Sequence, residues 1–179
     1  VTNEDEAVEL DLRAIDGDGD YLVYSLDPSL MPQFGQLETT ATDGIYNYRP
    51  NANVFGTDGF RLHVDDGNGG QDSIHVQVNI RSINDAPEVS APTTEGGLED
   101  QLINIEIEHV SDIEGDNLQF SLGGSLSASH GSVQLVEEDS GLFTFEPDSN
   151  WHGTDRFSVL ISDGKGGTSE TLVNVIVAA

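Results

Sequence analysis

Between Ile15 and Tyr21 the chain reads Asp-Gly-Asp-Gly-Asp, which puts the carboxylates of Asp16, Asp18 and Asp20 on alternate residues with glycine between them. Hard oxygen donors at this density, on a chain free to turn tightly, suit Ca²⁺, which takes roughly six to eight oxygens at about 2.3 to 2.6 Å. Without a cation, two carboxylates about 4 Å apart repel by roughly 4 kcal/mol at an effective dielectric near 20. The stretch is not an EF-hand. Tyr21 falls where that loop needs glycine, Asp27 falls where it needs glutamate, and the flanks alternate like strands rather than helices. The bland alternative, an Asp/Gly turn without metal, loses ground because acids recur in the same register at Asp112, Glu114 and Asp116. Two glycine-rich stretches follow, at Asp66-Gly-Asn-Gly-Gly and Asp163-Gly-Lys-Gly-Gly. They read as hairpin turns whose leading aspartates, Asp66 and Asp163, also face a metal. A single such stretch cannot stack into a calcium β-roll.

These acids are landmarks of a duplication. Before the stretch SINDAPEV (82–89) come ED at Glu4, FG at Phe34, FGTDGF at Phe55 and DGNGG at Asp66. After it come ED at Glu99, HG at His130, HGTDRF at His152 and DGKGG at Asp163. Corresponding positions 4 and 99, 35 and 131, 56 and 153, and 66 and 163 lie 95 to 97 residues apart. That period is too long for a solenoid whose units share one core and suits whole domains strung as beads. The boundaries are 1–83 and 84–179.

Within each copy apolar residues alternate with polar ones, as in Val8, Leu10 and Leu12, in Phe60, Leu62 and Val64, and in Ile74, Val76, Val78 and Ile80. Period two means half-buried strands, and no stretch carries a helical stripe. Six or seven short strands in about 90 residues predict an antiparallel Greek-key sandwich per copy, so the chain is all-β. EVSAPTT (88–94) makes a first strand for copy 2. Copy 1 lacks room for one, which predicts a chain cut from a longer polypeptide and a sheet edge of copy 1 that is either open or closed by a segment outside the sequence. Trp151 and Phe55, each just before a Gly-Thr-Asp turn, are expected to plug the cores.

The composition narrows the function. Six Lys plus Arg against 33 Asp plus Glu give a formal charge of −27. This argues against nucleic acid and anionic membranes as partners, since both are bound through basic groups. No apolar run is long enough to span a membrane. The absence of cysteine points to a cytosolic origin or to export without disulfides. Catalytic signatures are absent: there is no G-x-S-x-G, no H-E-x-x-H and no cysteine nucleophile. The five histidines are scattered, His130 and His152 at turns. Glu137 and Glu138 read as solvated loop acids. An enzyme is not expected.

AIDGDGDYLVYSL from Ala14 and VSDIEGDNLQFSL from Val110 resemble the calcium loop of cadherin repeats, and SINDAP resembles the cadherin linker. Glu4 and Glu99 sit where cadherins place an acid before the second strand. The HG, F-x-G-T-D-x-F and DGxGG signatures make the chain still more similar to the cadherin-like tandem repeats of large secreted, RTX-type bacterial adhesins, over essentially its whole length. The resemblance implies calcium at the joint between successive domains. Copy 1 would contribute Glu4 and Asp58, the linker Asn84 and Asp85, and copy 2 Asp112, Glu114, Asn117 and Asp163. Asp16, Asp18, Asp20 and Asp66 would face a domain before copy 1, and Glu99 and Asp155 one after copy 2. Ser82 and Ala86 depart from the linker pattern, which implies fewer or weaker ions.

The expected function is a calcium-dependent extender or adhesion module of a large bacterial surface or secreted adhesin, extracellular and exported without disulfides from a Gram-negative cell. Its partners are neighbouring repeats of the same chain. The alternative is a calcium-dependent module that binds a polysaccharide or a cell-surface protein, with Trp151 and Tyr24 the aromatics most able to stack on a sugar.

Overall fold

A computed structural model describes residues 1–179, and the chain divides into two compact units, Val1–Ile83 and Asn84–Ala179. Unit 1 has seven strands: β1 (Thr2–Asn3), β2 (Val8–Asp11), β3 (Val23–Leu26), β4 (Gly35–Thr39), β5 (Ile45–Pro50), β6 (Gly56–Asp65) and β7 (Gln71–Arg81). They form one sheet in the order β1-β7-β6-β3 and a second in the order β2-β5-β4. Every pairing is antiparallel except β1 with β7. Unit 2 repeats this with β9 (Thr93–Leu98), β16 (Thr168–Ala178), β15 (Gly153–Ser162) and β12 (Gln119–Leu122) in one sheet, and β10 (Ile103–Glu106), β14 (Leu142–Pro147) and β13 (Gly131–Glu137) in the other. It adds a short ladder of β8 (Glu88–Val89) with β11 (Val110–Ser111). Each unit is therefore a two-sheet sandwich, and no helix is long and apolar enough to cross a membrane.

The alternation read in the sequence sets the inner faces. In β14 Phe143 and Phe145 are fully buried while Glu146 is exposed, and in β16 Val173, Val175 and Val177 point inward. Each such side chain stabilises the fold by roughly 1.5 to 3 kcal/mol. The two cores are unequal. Unit 2 closes over twelve buried residues, Ile103, Ile105, Phe143, Phe145, Phe157 and Val159 among them, whereas the core cluster of unit 1 is Tyr48, Phe60, Val78 and Ile80, with Tyr46 and Leu62 also buried.

Two expectations need correction. The stretch 88–94 is not one strand: β8 ends at Val89 and β9 begins at Thr93, with Pro92, which lacks an N–H for a ladder, in the gap. Phe55 is no core plug, being 42% exposed, while Trp151 does pack against the core of unit 2.

Because Phe145 is sealed and Ile176 is 51% exposed on the outer face, the two should differ sharply on truncation. Phe145→Ala is expected to cost unit 2 about 3 to 5 kcal/mol, and Ile176→Ala about 0.5 kcal/mol or less. Urea unfolding followed by Trp151 fluorescence checks both.

Candidate metal centre

Both glycine-rich hairpin turns are built around one aspartate. In unit 2 Asp163 Oδ1 accepts the N–H groups of Lys165, Gly166 and Gly167 at 2.7, 3.0 and 3.0 Å. In unit 1 Asp66 Oδ1 accepts those of Asn68 and Gly70 at 2.7 and 2.9 Å. The turn demands its glycines: Gly164 and Gly166 have φ of +72° and +120°, and a Cβ on Gly167 would strike the Asp163 carboxylate. The Asp-x-Asp loops are wound the same way. Asp112 Oδ1 accepts from the N–H of Glu114 (3.1 Å) and Asp116 (3.0 Å), and Asp16 Oδ1 from Asp18 (2.8 Å) and Asp20 (3.0 Å). Those amides, Asp20 first, hold the Asp16 carboxyl below its ordinary range.

Winding the loops inward gathers acids. Carboxylate oxygens of Asp112, Glu114 and Asp116 lie within 4.8 Å of one another, and so do those of Asp16, Asp20 and Asp66. In unit 2 the linker residues join the set. Asn84 Nδ2 donates to Asp163 Oδ2 at 2.6 Å and the Asp85 N–H donates to Glu114 Oε2 at 3.1 Å. The Asn84 amide is the main cause that holds the Asp163 carboxyl low, against burial, with the turn amides assisting. Lys165 Nζ pairs with Asp116 Oδ1 at 2.5 Å, which raises the lysine.

Some of the carboxylate oxygens are left without a donor. Asp85 Oδ2, Asp112 Oδ2 and Asp116 Oδ2 are buried with no hydrogen-bond partner. In unit 1 Glu4, almost fully buried, accepts the Ile83 N–H at 2.6 Å through Oε1, while its Oε2 is buried and unpartnered. A buried acceptor left without a donor costs about 1 to 3 kcal/mol, more when charged. Orphaned carboxylate oxygens are the donor set a hard divalent cation takes. The residues present fit Ca²⁺.

Other candidates fall elsewhere. Asp58 and Asp155 are buried structural anchors rather than open ligands. Asp58 accepts from the N–H groups of Gln33 (2.9 Å), Phe34 (3.0 Å) and Gly59 (2.8 Å) and from the Tyr48 hydroxyl (2.6 Å). Asp155 accepts from the N–H groups of Ser129, His130 and Arg156. The FG/HG and Gly-Thr-Asp motifs are thus two halves of one device that pins the chain entering β4 or β13. Asn117 is exposed and Asp18 stands outside the cluster of Asp16, Asp20 and Asp66. Glu99 is half-buried beside His152, 3.7 Å away. Asp116 was missing from the ligand set implied by the linker resemblance, although its register with Asp20 in the repeat was signal enough. Trp151 lies flat on His130, ring centroids 4.7 Å apart and planes 12° apart, so one face is already covered. Glu137 closes β13 and Glu138 is exposed in the following turn.

The structure thus defines a tandem of sandwich units with acidic loops. Residues 1–79 and 84–176 each match the bacterial Ig domain family, and the chain belongs to that family. No curated protein matches it. Among solved structures it is similar to human CDH23 EC21-23 (18% identity, 99% of this chain and 66% of that chain, TM-score 0.61). It is also similar to mouse Cadherin-23 EC22-24 (19%, 99% and 61%, TM-score 0.57). These are likenesses of fold. The chain also aligns with about a quarter (27%) of an endo-fucoidan hydrolase from glycoside hydrolase family 107, at 19% identity over 100% of this chain and a TM-score of 0.44.

Burial opposes ionisation of Asp58, yet its four donors hold the carboxyl below its ordinary value. A depressed folded pKa adds stability that is complete above the unfolded value of about 4 and is lost as pH falls below it. Unit 1 carries all four tyrosines, so near-ultraviolet melts monitor it. Asp58→Asn is expected to melt lower at pH 7 and to lose less than the parent between pH 5 and 3. Equal acid sensitivity would remove this role.

Proposed function

We propose that the chain is a non-catalytic, extracellular extender module in which Ca²⁺ stiffens the joint between successive units. The observation that carries this is the set of buried carboxylate oxygens without donors at Glu4, Asp85, Asp112 and Asp116. Hydrogen bonds to the linker support a role at the joint. Glu4 is bonded to Ile83, the last residue of unit 1, and the first residues of unit 2, Asn84 and Asp85, are bonded to Asp163 and Glu114. Residues holding the ion would be Glu4, Asp85, Asp112, Glu114 and Asp116, with Asn84 and Asp163 orienting the linker. The ion would supply the positive charge that turns mutual repulsion into shared coordination. Asp16, Asp20 and Asp66 form the corresponding set of unit 1. Such modules serve in long surface or secreted adhesins, and neighbouring repeats are the partners this reading requires. The domain family and the cadherin-like fold support it.

A ligand that binds only the folded state at 100 times its Kd stabilises by roughly 2.7 kcal/mol. Asp112→Ala is expected to lose most of the calcium-dependent rise in melting temperature, and Glu138→Ala none of it. Melts in calcium and in chelator separate the two, and an Asp112→Ala protein that responds like the parent would overturn the assignment. Small-angle scattering should show a more flexible particle when chelator replaces calcium, and an unchanged profile would remove the stiffening role.

A further inference from the structure

Lys165 is the only lysine of a chain that carries 33 Asp plus Glu, and it is not a free surface charge. Its Nζ lies 2.5 Å from Asp116 Oδ1. Asp116 clusters with Asp112 and Glu114, and the ammonium is also within electrostatic reach of Asp112 and Asp163. The paired arginines serve elsewhere: Arg13 and Arg61 hold Asp11 and Asp27, outside the acid clusters. The repeat supplies a comparison. Residues 68 and 165 lie 97 apart and are the same third position of the two DGxGG turns. In unit 1 the side chain at that position reaches the equivalent partner, since Asn68 Nδ2 donates to Asp20 Oδ2 at 2.8 Å. Each turn thus sends one side chain across to the last acid of the Asp-x-Asp loop. Unit 1 brings a neutral amide there, and unit 2 a full positive charge.

That charge is not fully screened. Lys165 is 60% exposed, which in an ordinary surface pair would make the interaction worth little. Asp116, however, is 12% exposed, and its Oδ2, like Asp112 Oδ2, is buried without a donor. An ion seated on those two oxygens would share the Asp116 carboxylate with the ammonium, and two cations on one carboxylate repel. Without the ion, the same ammonium offsets part of the repulsion among Asp112, Glu114 and Asp116.

We propose that Lys165 is a tethered counter-cation that sets the calcium affinity of unit 2, standing in for part of the ion's charge at low calcium and opposing the ion as it binds. The role rests on calcium being the ion of the acidic head. The third position of DGxGG is then the affinity-determining one. Lysine there gives a head that is steadier without the ion, and that fills at higher calcium, than asparagine would give.

The test uses the full chain and follows unit 2 through Trp151, the only tryptophan, in melts over a calcium series. Lys165→Asn, which installs the residue of unit 1, should melt lower than the parent in chelator, yet its melt should begin to rise at a calcium concentration at least about threefold lower. Lys165→Arg keeps the charge and should track the parent in both respects. The shift between Lys165→Asn and the parent should shrink as salt is raised from about 0.01 M to about 1 M, over which the screening length falls from roughly 30 to 3 Å. A lysine that only packs against the turn would, on replacement, lower the melt equally in calcium and in chelator and leave the onset where it was. That outcome, or a Lys165→Arg protein that behaves like Lys165→Asn, overturns the proposal and leaves the calcium site standing. A parent whose Trp151 melt ignores calcium overturns the calcium site itself, and the role of Lys165 with it.

Discussion

Buried carboxylate oxygens that no donor reaches are the constraint on which the molecule is arranged. Each acidic loop uses its own amides to hold one oxygen of its leading aspartate, as Asp112 Oδ1 is held by Glu114 and Asp116. The Asp112 loop has no amide left for Oδ2. The second lone-pair set therefore faces a site already crowded with like charge, and only a cation or a proton relieves it. Lys165 partly answers for Asp116. Asp112 Oδ2 and Asp85 Oδ2 have no such partner.

Acids of similar appearance divide by donor supply. Asp58 and Asp155 also sit in motifs found twice, yet their oxygens are taken by backbone N–H groups from the loop before β4 or β13. Their negative charge is spent on holding that loop against the sheet. Asp112 and Asp116 in unit 2 each keep a buried oxygen without a hydrogen-bond donor. By this measure Asp163, 4% exposed against 6% for Asp58 and Asp155, stands with the structural aspartates, since turn amides fill its Oδ1 and Asn84 its Oδ2.

Each unit is also polar along its length. The acidic cluster of unit 1 adjoins the turn before β7, and Glu4 meets the chain just beyond the end of β7. An eleven-residue strand separates them, roughly 36 Å of rise. Unit 2 repeats this, with Asp163 before β16 and Glu99 tied to Ala178 at its far end. A sandwich with a multi-acid head and a single-acid tail is suited to serial repetition.

The sequence alone determined the duplication, the strand alternation and most of the acidic head, because each is local: period two shows in a strand, and Asp-x-Asp and DGxGG turns are closed by their own amides. The register of the repeat also pointed to Asp116. What only the tertiary structure decided is non-local. Asp58 could be removed from the ligands only once the N–H groups of Gln33 and Phe34, about 25 residues away in sequence, were seen to fill it. The register of the repeat pairs Phe55 with His152 and Trp151 with Val54, and the structure leaves Phe55 42% exposed while Trp151 packs on the core of unit 2. The split of residues 88–94 into β8 and β9 depends on which edge each segment meets. Hydrophobic alternation specifies which face is buried, and only the assembled sheets specify what covers it.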